Sequence, residues 1–449
     1  MKQLSIKQII TFILLVTALV VLLTGCGGSA TAGQSRETAS DSSARTESRA
    51  DDNSTDTPVS RETEQNGQKS GNKDSEDSGD VLFTNRDLEQ SPNLTDAKTL
   101  TVSDGETLTI NAEGTYVITG SAKNCTIKVE ADKKAKVQLV LQDVSVSNSD
   151  FPVIYVVSAD KCFVTIQGSN LLSVTGAFRA DGETNTDAVI YSKEDITFNG
   201  TGSMKLTSTE NGISGKDDVK FTGGSYEITS DLDAIEANDS VAVKDGTFSI
   251  VSKKDGVHSE NDDDNTVGWI VIEGGSMTVQ AKSDCLQAVT YVRIDGGNLK
   301  LNGSEGIEST YVEINGGTID IYGSDDGINA SKKSTYYATP TVVINGGDLK
   351  IEVGRGDTDA IDANGDIIVN GGTIDITSTM SSFDYDGKAE YNGGTIIING
   401  TQVDSIPKSM MGGPGGWGGP GGQGDQGDRG RPDNQDNRGG YGPGGRGNR

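Results

Sequence analysis

The sequence predicts an all-β protein, a right-handed parallel β-helix, and three observations carry that prediction. A motif closed by a glycine pair recurs every 20 to 22 residues, apolar residues within each repeat alternate in twos, and the repeating body holds no helical period. Aligned on the second residue of Gly223-Gly224, Asp245-Gly246, Gly274-Gly275, Gly296-Gly297, Gly316-Gly317, Gly346-Gly347, Gly371-Gly372 and Gly393-Gly394, the intervals are 22, 29, 22, 20, 30, 25 and 22 residues. Three of them therefore carry insertions. In "YVRIDGGNLKLNG" the alternation turns Val292, Ile294, Leu299 and Leu301 to one side. That gives two short strands flanking a glycine turn, and a third, very short strand carries a Gly-Ile element. Three strands in so short a unit cannot bury their own inward residues. Copies stacked ~4.8 Å apart can, each inward Ile or Val contributing ~1.5 to 3 kcal/mol. A propeller blade needs about 40 residues, and an antiparallel sandwich leaves the short repeat unexplained. The right hand follows from the handedness of parallel connections. The less regular stretch 94–180 is expected to supply the first coils and the cap.

Ahead of the body, Lys2 and Lys7 precede an apolar run from Ile9 to Leu23 that ends in Leu23-Thr24-Gly25-Cys26, the order of a secretory signal. Those last four residues resemble the lipobox of bacterial lipoproteins, which implies a signal peptide over 1–25, cleavage before Cys26 and a lipid on its sulfur. A plain membrane anchor is the alternative, against which the run falls short of the ~20 residues a span needs. Either way the rest of the chain is expected outside the cytoplasmic membrane, tethered to it. Residues 29 to 80 are rich in Ser, Thr, Asp, Glu, Gly and Asn. Such a composition cannot offset ordering entropy, so 26–90 is expected to be a disordered, lipid-anchored linker. The β-helix domain is set at 91–408. Residues 409–449 alternate Gly and Pro with polar residues without a strict every-third glycine, and are expected to be a disordered tail rather than collagen.

A formal charge of -28 repels nucleic-acid backbones, so nucleic acid is excluded as a partner, and a monomer is expected. Of the four cysteines, Cys26 belongs to the anchor. Cys125 and Cys162 open similar apolar runs, and either a disulfide between them or buried free thiols fits this compartment; Cys285 makes the set odd. His258 is the single histidine. Ser-His or Cys-His catalysis therefore has one base to draw on.

Placing residues on the repeat yields columns. Ile213, Ile235, Val257, Leu286, Ile307, Ile328 and Ile361 line up as inward aliphatics, each followed two residues later by Gly, Ala or Ser. Between them runs a polar column expected to face outward: Ser214, Glu236, His258, Gln287, Glu308, Asn329 and Asp362. Two residues before each aliphatic stands another: Asn211, Asp233, Asp255, Asp284, Glu305, Asp326 and Asp359. Stacked carboxylates repel one another. Ca2+ ligated by oxygen atoms of Asp233, Asp255, Asp284, Glu305, Asp326 and Asp359 relieves that repulsion; alternatively these acids cap turns by accepting backbone N–H bonds. Trp269, Tyr291 and Tyr311 each lie five residues before the first glycine of their pair and are expected to stack on consecutive coils. Such a column suits the faces of sugar rings, or else only covers the sheet. Candidate sugar-contacting residues are thus Glu236, His258, Glu308, Trp269, Tyr291 and Tyr311.

Over roughly 100 to 400 the chain resembles the secreted and lipid-anchored carbohydrate-binding β-helix proteins of cellulose- and pectin-degrading bacteria. The resemblance rests on "GTYVITGS" followed by "VQLVLQDVSVSN", on "DAVIYSKEDITFNGTGSMKLTS", and on the repeated Asp-Gly-Ile or Asp-Ala-Ile coils before a Gly-Pro-rich tail. It implies a right-handed parallel β-helix similar to that of pectate lyases, binding plant-type polysaccharide with calcium. The expectation is a non-catalytic, lipid-anchored binder of acidic or cellulosic polysaccharide. Two alternatives stay open. One is a calcium-dependent pectate-type lyase, whose base would come from Lys253, Lys254, Arg293, Lys332, Lys333 or Arg355; the other is a structural adhesin or stalk.

Overall fold

The structure, a computed structural model, describes residues 82–356 and 358–407; the expected signal segment, Cys26, most of the expected linker and the expected tail lie outside them. Among the described residues every regular element is a strand. Thirty-two strands wind through about 13 turns of a parallel β-solenoid. One coil consists of Ile328–Ala330, Thr341–Ile344 and Asp348–Val353, and each strand pairs in parallel with its counterpart in Asp359–Ala363, Asp366–Val369 and Thr373–Thr377.

The alternation read from the sequence is the one that builds the core. Val292, Ile294, Leu299 and Leu301 are 0 to 1% exposed. Ile270, Val292, Val312, Val342 and Ile367 stand in one register, each beneath the next and each fully buried. A parallel stack of this kind puts every inward residue between two neighbours of its own type, so burial is shared between coils rather than completed within one.

The glycine pair at the corner answers two separate demands. The second glycine takes a left-handed conformation, as at Gly297 with φ +100°, where a side chain is strained. The first lies against the coil beneath: a Cβ on Gly296 would sit 2.8 Å from the Glu273 carbonyl oxygen. Insertions fall at turns and leave the register intact. The 29-residue interval places its extra residues between Val257–Ser259 and Trp269–Ile272, and the 30-residue interval between Ile328–Ala330 and Thr341–Ile344.

Both ends of the stack are managed. The last pairing, Thr395–Ile398 with Thr401–Val403, is an antiparallel hairpin that folds the chain back over its own edge. At the other end, Lys98–Thr101 starts the stack on Gly114–Lys123. Packing against the wall begins before residue 90, in the segment just ahead of the solenoid. Asp87 is fully buried: its Oδ1 accepts from Lys161 Nζ at 2.8 Å and from Thr197 Oγ1 at 2.7 Å. Gln90 bonds Gly200 and Thr222, and the Arg86 guanidinium lies 4.4 Å above the Phe163 ring. Residues 83–90 are thus fastened across three strands of the wall. Cys125, Cys162 and Cys285 are buried free thiols, which leaves the disulfide alternative aside.

Candidate functional site

The acid column is a hydrogen-bonded ladder. Asn211 Oδ1 accepts the backbone N–H of Asp233 (2.9 Å), Asp233 Oδ1 that of Asp255 (2.8 Å), Asp255 Oδ1 that of Asp284 (3.0 Å) and Asp284 Oδ1 that of Glu305 (3.2 Å). Asp326 Oδ1 does the same for Asp359 at 2.8 Å. The expected capping of N–H groups is therefore present, but each bond runs to the next coil instead of closing its own turn. One carboxylate oxygen each of Asp233, Asp255, Asp284 and Asp326 is committed to the fold. The second oxygen of Asp233 pairs with Lys254 at 2.7 Å, and that of Asp284 accepts from Gln287 Nε2 at 3.3 Å.

Carboxylates crowd one another farther along the column. Ligand atoms of Asp284, Glu305 and Glu308 lie within 4.8 Å of each other. Burial, reinforced by the Asp255 and Glu308 charges, pushes Asp284 up to about 7. Burial together with Glu308 and Asp284 pushes Glu305 up to about 9. Glu305 accepts from Asn329 Nδ2 through Oε1 at 3.1 Å, while its Oε2 and the Asn329 Oδ1 are buried without any hydrogen-bond partner. Farther along, burial and the Asp326 and Asp359 charges raise Asp362 to about 7. Oxygen donors only, two of them buried and unsatisfied, amid carboxylates that resist ionisation: this donor set fits a hard divalent cation of the Ca2+ type.

The polar column keeps the predicted register, Ser214 to Glu236 to His258 to Gln287 to Glu308 to Asn329 to Asp362, and extends to Tyr191 and Tyr155 on one side and Asp384 on the other. Three of its predicted residues are buried instead of facing outward, and Ser214 is the deepest at 0% exposed. Glu308 is 8% exposed and consumed internally, accepting from Gln287 Nε2 (2.6 Å), Lys333 Nζ (2.8 Å) and Ser331 Oγ (3.1 Å). Burial works against its charge, but Lys333 and Gln287 outweigh it and hold the group below its ordinary range. His258 is 6% exposed, with Asp233, Asp255 and Glu260 around its ring, so it presents no face to a sugar. Glu236 remains partly exposed and accepts from Asn211 Nδ2 and Ser214 Oγ.

Trp269, Tyr291 and Tyr311 occupy one register on consecutive coils, as expected. Trp269 and Tyr291 stack with centroids 5.6 Å apart and planes 6° from parallel. Tyr311 is instead covered by Tyr337, 4.4 Å away at 12°. Tyr337 comes from the 331–340 insertion, whose Thr335 Oγ1 accepts from Asn265 of the 260–268 insertion. The two insertions thus meet beside the column. Tyr336 packs edge-on against Tyr337 and stays 53% exposed. Tyr336 is thus the exposed ring beside a column whose other members are partly buried, and repeat alignment missed it because it lies in an insertion.

The bases a lyase would use are mostly engaged. Lys253 pairs with Asp231 (2.6 Å), Lys254 with Asp233 (2.7 Å), Arg293 with Asp295 (3.1 Å) and Lys333 with Glu308 (2.8 Å), and Lys332 donates to the carbonyls of Tyr337 and Ala338. Burial pulls Lys254 down, yet Asp233 and Asp255 raise it overall, which keeps its proton on.

A solved structure described as that of the polysaccharide lyase-like protein from C. thermocellum, a gadolinium derivative, aligns at 25% identity with a TM-score of 0.42, covering 49% of this chain and 92% of its own. A carbohydrate-binding domain-containing protein from Acetivibrio thermocellus is 31% identical over 131 residues, 28% of this chain and 46% of that relative, so the match spans about half the relative's length. The family model of carbohydrate-binding domain-containing proteins matches residues 104–357 and 299–405. Those segments together take in nearly all of the solenoid, and the chain belongs to the family of carbohydrate-binding domain-containing proteins.

Proposed function

We propose that this protein is a non-catalytic cell-surface binder, lipid-anchored through Cys26, that holds acidic or cellulosic polysaccharide with the help of calcium. The observation that carries the reading is the buried, partnerless Glu305 Oε2 beside Asp284 and Glu308, on an edge whose other oxygens the fold has already committed. When bound, Ca2+ supplies the positive charge that lets these acids ionise together and meet a uronate carboxylate. Asp284, Glu305 and the Asn329 carbonyl would hold it, and Asp326, Asp359 and Asp362 offer a second set of oxygens on the following coils. Trp269, Tyr291 and Tyr336 supply flat apolar faces against which sugar rings lie. Membership of a carbohydrate-binding family and the engagement of the candidate lysines support binding over elimination.

The test is to incubate the full chain with polygalacturonate and with cellulose, in calcium or in chelator, following both retention and the absorbance of unsaturated uronate ends. Calcium-dependent retention without absorbance is the expected result. Rising absorbance would make the protein a lyase, and no retention on either polymer would make it a stalk.

A further inference from the structure

A second cluster on the same ladder has different chemistry, because it contains nitrogen. Asp233, Asp255 and His258 are 2%, 1% and 6% exposed. Each Asp spends Oδ1 on the next coil's backbone N–H, leaving Oδ2 toward the ring. His258 Nδ1 makes no hydrogen bond; it faces Asp233 Oδ2 at 3.5 Å and Asp255 Oδ2 at 3.9 Å. On the far side of the ring, Nε2 lies 3.3 Å from Glu260 Oε2.

A neutral imidazole protonated at Nε2, the nitrogen that faces Glu260, points the Nδ1 lone pair between two carboxylates. Two arrangements relieve the repulsion: a proton on Nδ1, which burial opposes but the Asp233 and Asp255 carboxylates favour overall, or a metal cation that takes that proton's place among the three atoms. A carboxylate behind a histidine is also the arrangement that orients metal-ligating imidazoles. Tetrahedral coordination with bonds of ~2.0 to 2.1 Å sets donor atoms ~3.4 Å apart; the two distances from Nδ1, 3.5 and 3.9 Å, lie close above that, and all three donor atoms stay within 4.8 Å of one another. The resident cation is Lys254, whose Nζ lies 2.7 Å from Asp233 Oδ2 and 3.8 Å from Asp255 Oδ2. Its side chain is 47% exposed and can swing into solvent.

We infer that Asp233 Oδ2, Asp255 Oδ2 and His258 Nδ1 form a binding site for one divalent transition ion of the zinc class, with Glu260 orienting the ring and Lys254 giving way. Imidazole selects such ions over Ca2+, which prefers oxygen donors throughout. Three protein donors leave a fourth position, on the Lys254 side, for water or an anionic group. The site stands independently of the calcium and carbohydrate reading, since it shares neither its ligands nor its readout.

The experiment uses the full chain prepared without a polyhistidine tag, stripped with chelator, and titrated with Zn2+ against a chromophoric competitor. One equivalent is expected to bind. His258→Gln should lower the affinity by about 100-fold or more, and Glu260→Gln, which touches only the ring, by about 10- to 100-fold. Because His258 is the sole histidine, its imidazole is a single spin system in nitrogen-detected NMR spectra. One equivalent of Zn2+ should move the Nδ1 signal of the parent and leave Nε2 protonated, a readout that needs no variant to fold. Equal Zn2+ affinity in His258→Gln, an imidazole spectrum indifferent to Zn2+, or displacement of zinc by an equal concentration of calcium would each overturn the assignment.

Discussion

Replacing Glu305 with Gln should stabilise the protein in chelator. The folded carboxyl is pushed up to about 9, while in the unfolded chain it titrates at its ordinary value. At pH 7 the unfolded glutamate is ionised and the folded one keeps its proton, so the folded state is penalised by the difference between pH 7 and the unfolded value. That difference is about 2.5 pH units, or roughly 3 kcal/mol, and the group's partial exposure brings it to about 2 kcal/mol. Gln removes the penalty. Its Oε1 still accepts from Asn329, and its new NH2 donates toward the carboxylates that surrounded Glu305 Oε2. At about 2 °C per kcal/mol, melting should rise by about 4 °C at pH 7. The sign with pH follows: a raised carboxyl contributes fully below its unfolded value and loses that contribution as pH rises toward 9. In chelator the advantage of Glu305→Gln should therefore grow from pH 5 to pH 8. In calcium the order should reverse, since the variant has lost a charge the ion uses. Melting followed by circular dichroism with chelator and with calcium, across that range, reads both effects. A variant no more stable than its parent in chelator, or an advantage independent of pH, would refute the reasoning.

Other consequences are equally accessible. Asp87→Ala leaves Lys161 buried without its partner and should cost about 3 to 5 kcal/mol in denaturant unfolding; a loss below 1 kcal/mol would mean that the 83–90 segment is not fastened as described. Burial opposes the Asp87 charge, but Lys161 and its hydrogen bonds hold the carboxyl below its ordinary value, so this contribution should persist above about pH 4 and fade only as pH falls further. Gly297→Ala places a Cβ 3.1 Å from the Gly275 carbonyl oxygen at φ +100° and should destabilise by about 1 to 3 kcal/mol; an unchanged unfolding midpoint would contradict the corner geometry. Trp269→Ala should weaken polysaccharide retention by about ten-fold, the equivalent of ~1.4 kcal/mol, and equal retention by variant and parent would leave the aromatic column as a cover for the sheet.

Much of this was legible because a solenoid writes its geometry into the sequence. Strand alternation has a period of two, and the glycine corner fixes the phase, so the inward aliphatics, the acid column and the Trp269-Tyr291-Tyr311 column could be placed in register from spacing alone. What could not be read is the direction of bonds between coils. An Asp before a glycine turn looks the same whether it caps its own turn or the next coil's N–H, and only the stacked backbone decides. The same limit hid the ladder in which Asn315, Asn345, Asn370 and Asn392 pass amide bonds along one corner. Burial of His258 was hidden too, since its polar column reads as outward until the neighbouring acids and Glu260 close over it. Asp87 sits in a stretch whose composition reads as linker, and one of its partners, Thr197, is 110 residues away. Tyr337 reaches Tyr311 from an insertion, to which no repeat assigns a position.

The central claim is that the acid ladder from Asp284 onward holds calcium. The measurement closest to it is a calcium titration by calorimetry of the full chain beside the double variant Asp284→Asn, Asp326→Asn, in which each new amide keeps the Oδ1 acceptor of the ladder and loses only the charge. The account predicts calcium binding by the parent and a large loss of affinity in the double variant, with the fold intact by circular dichroism. Identical titrations for the two proteins would contradict it.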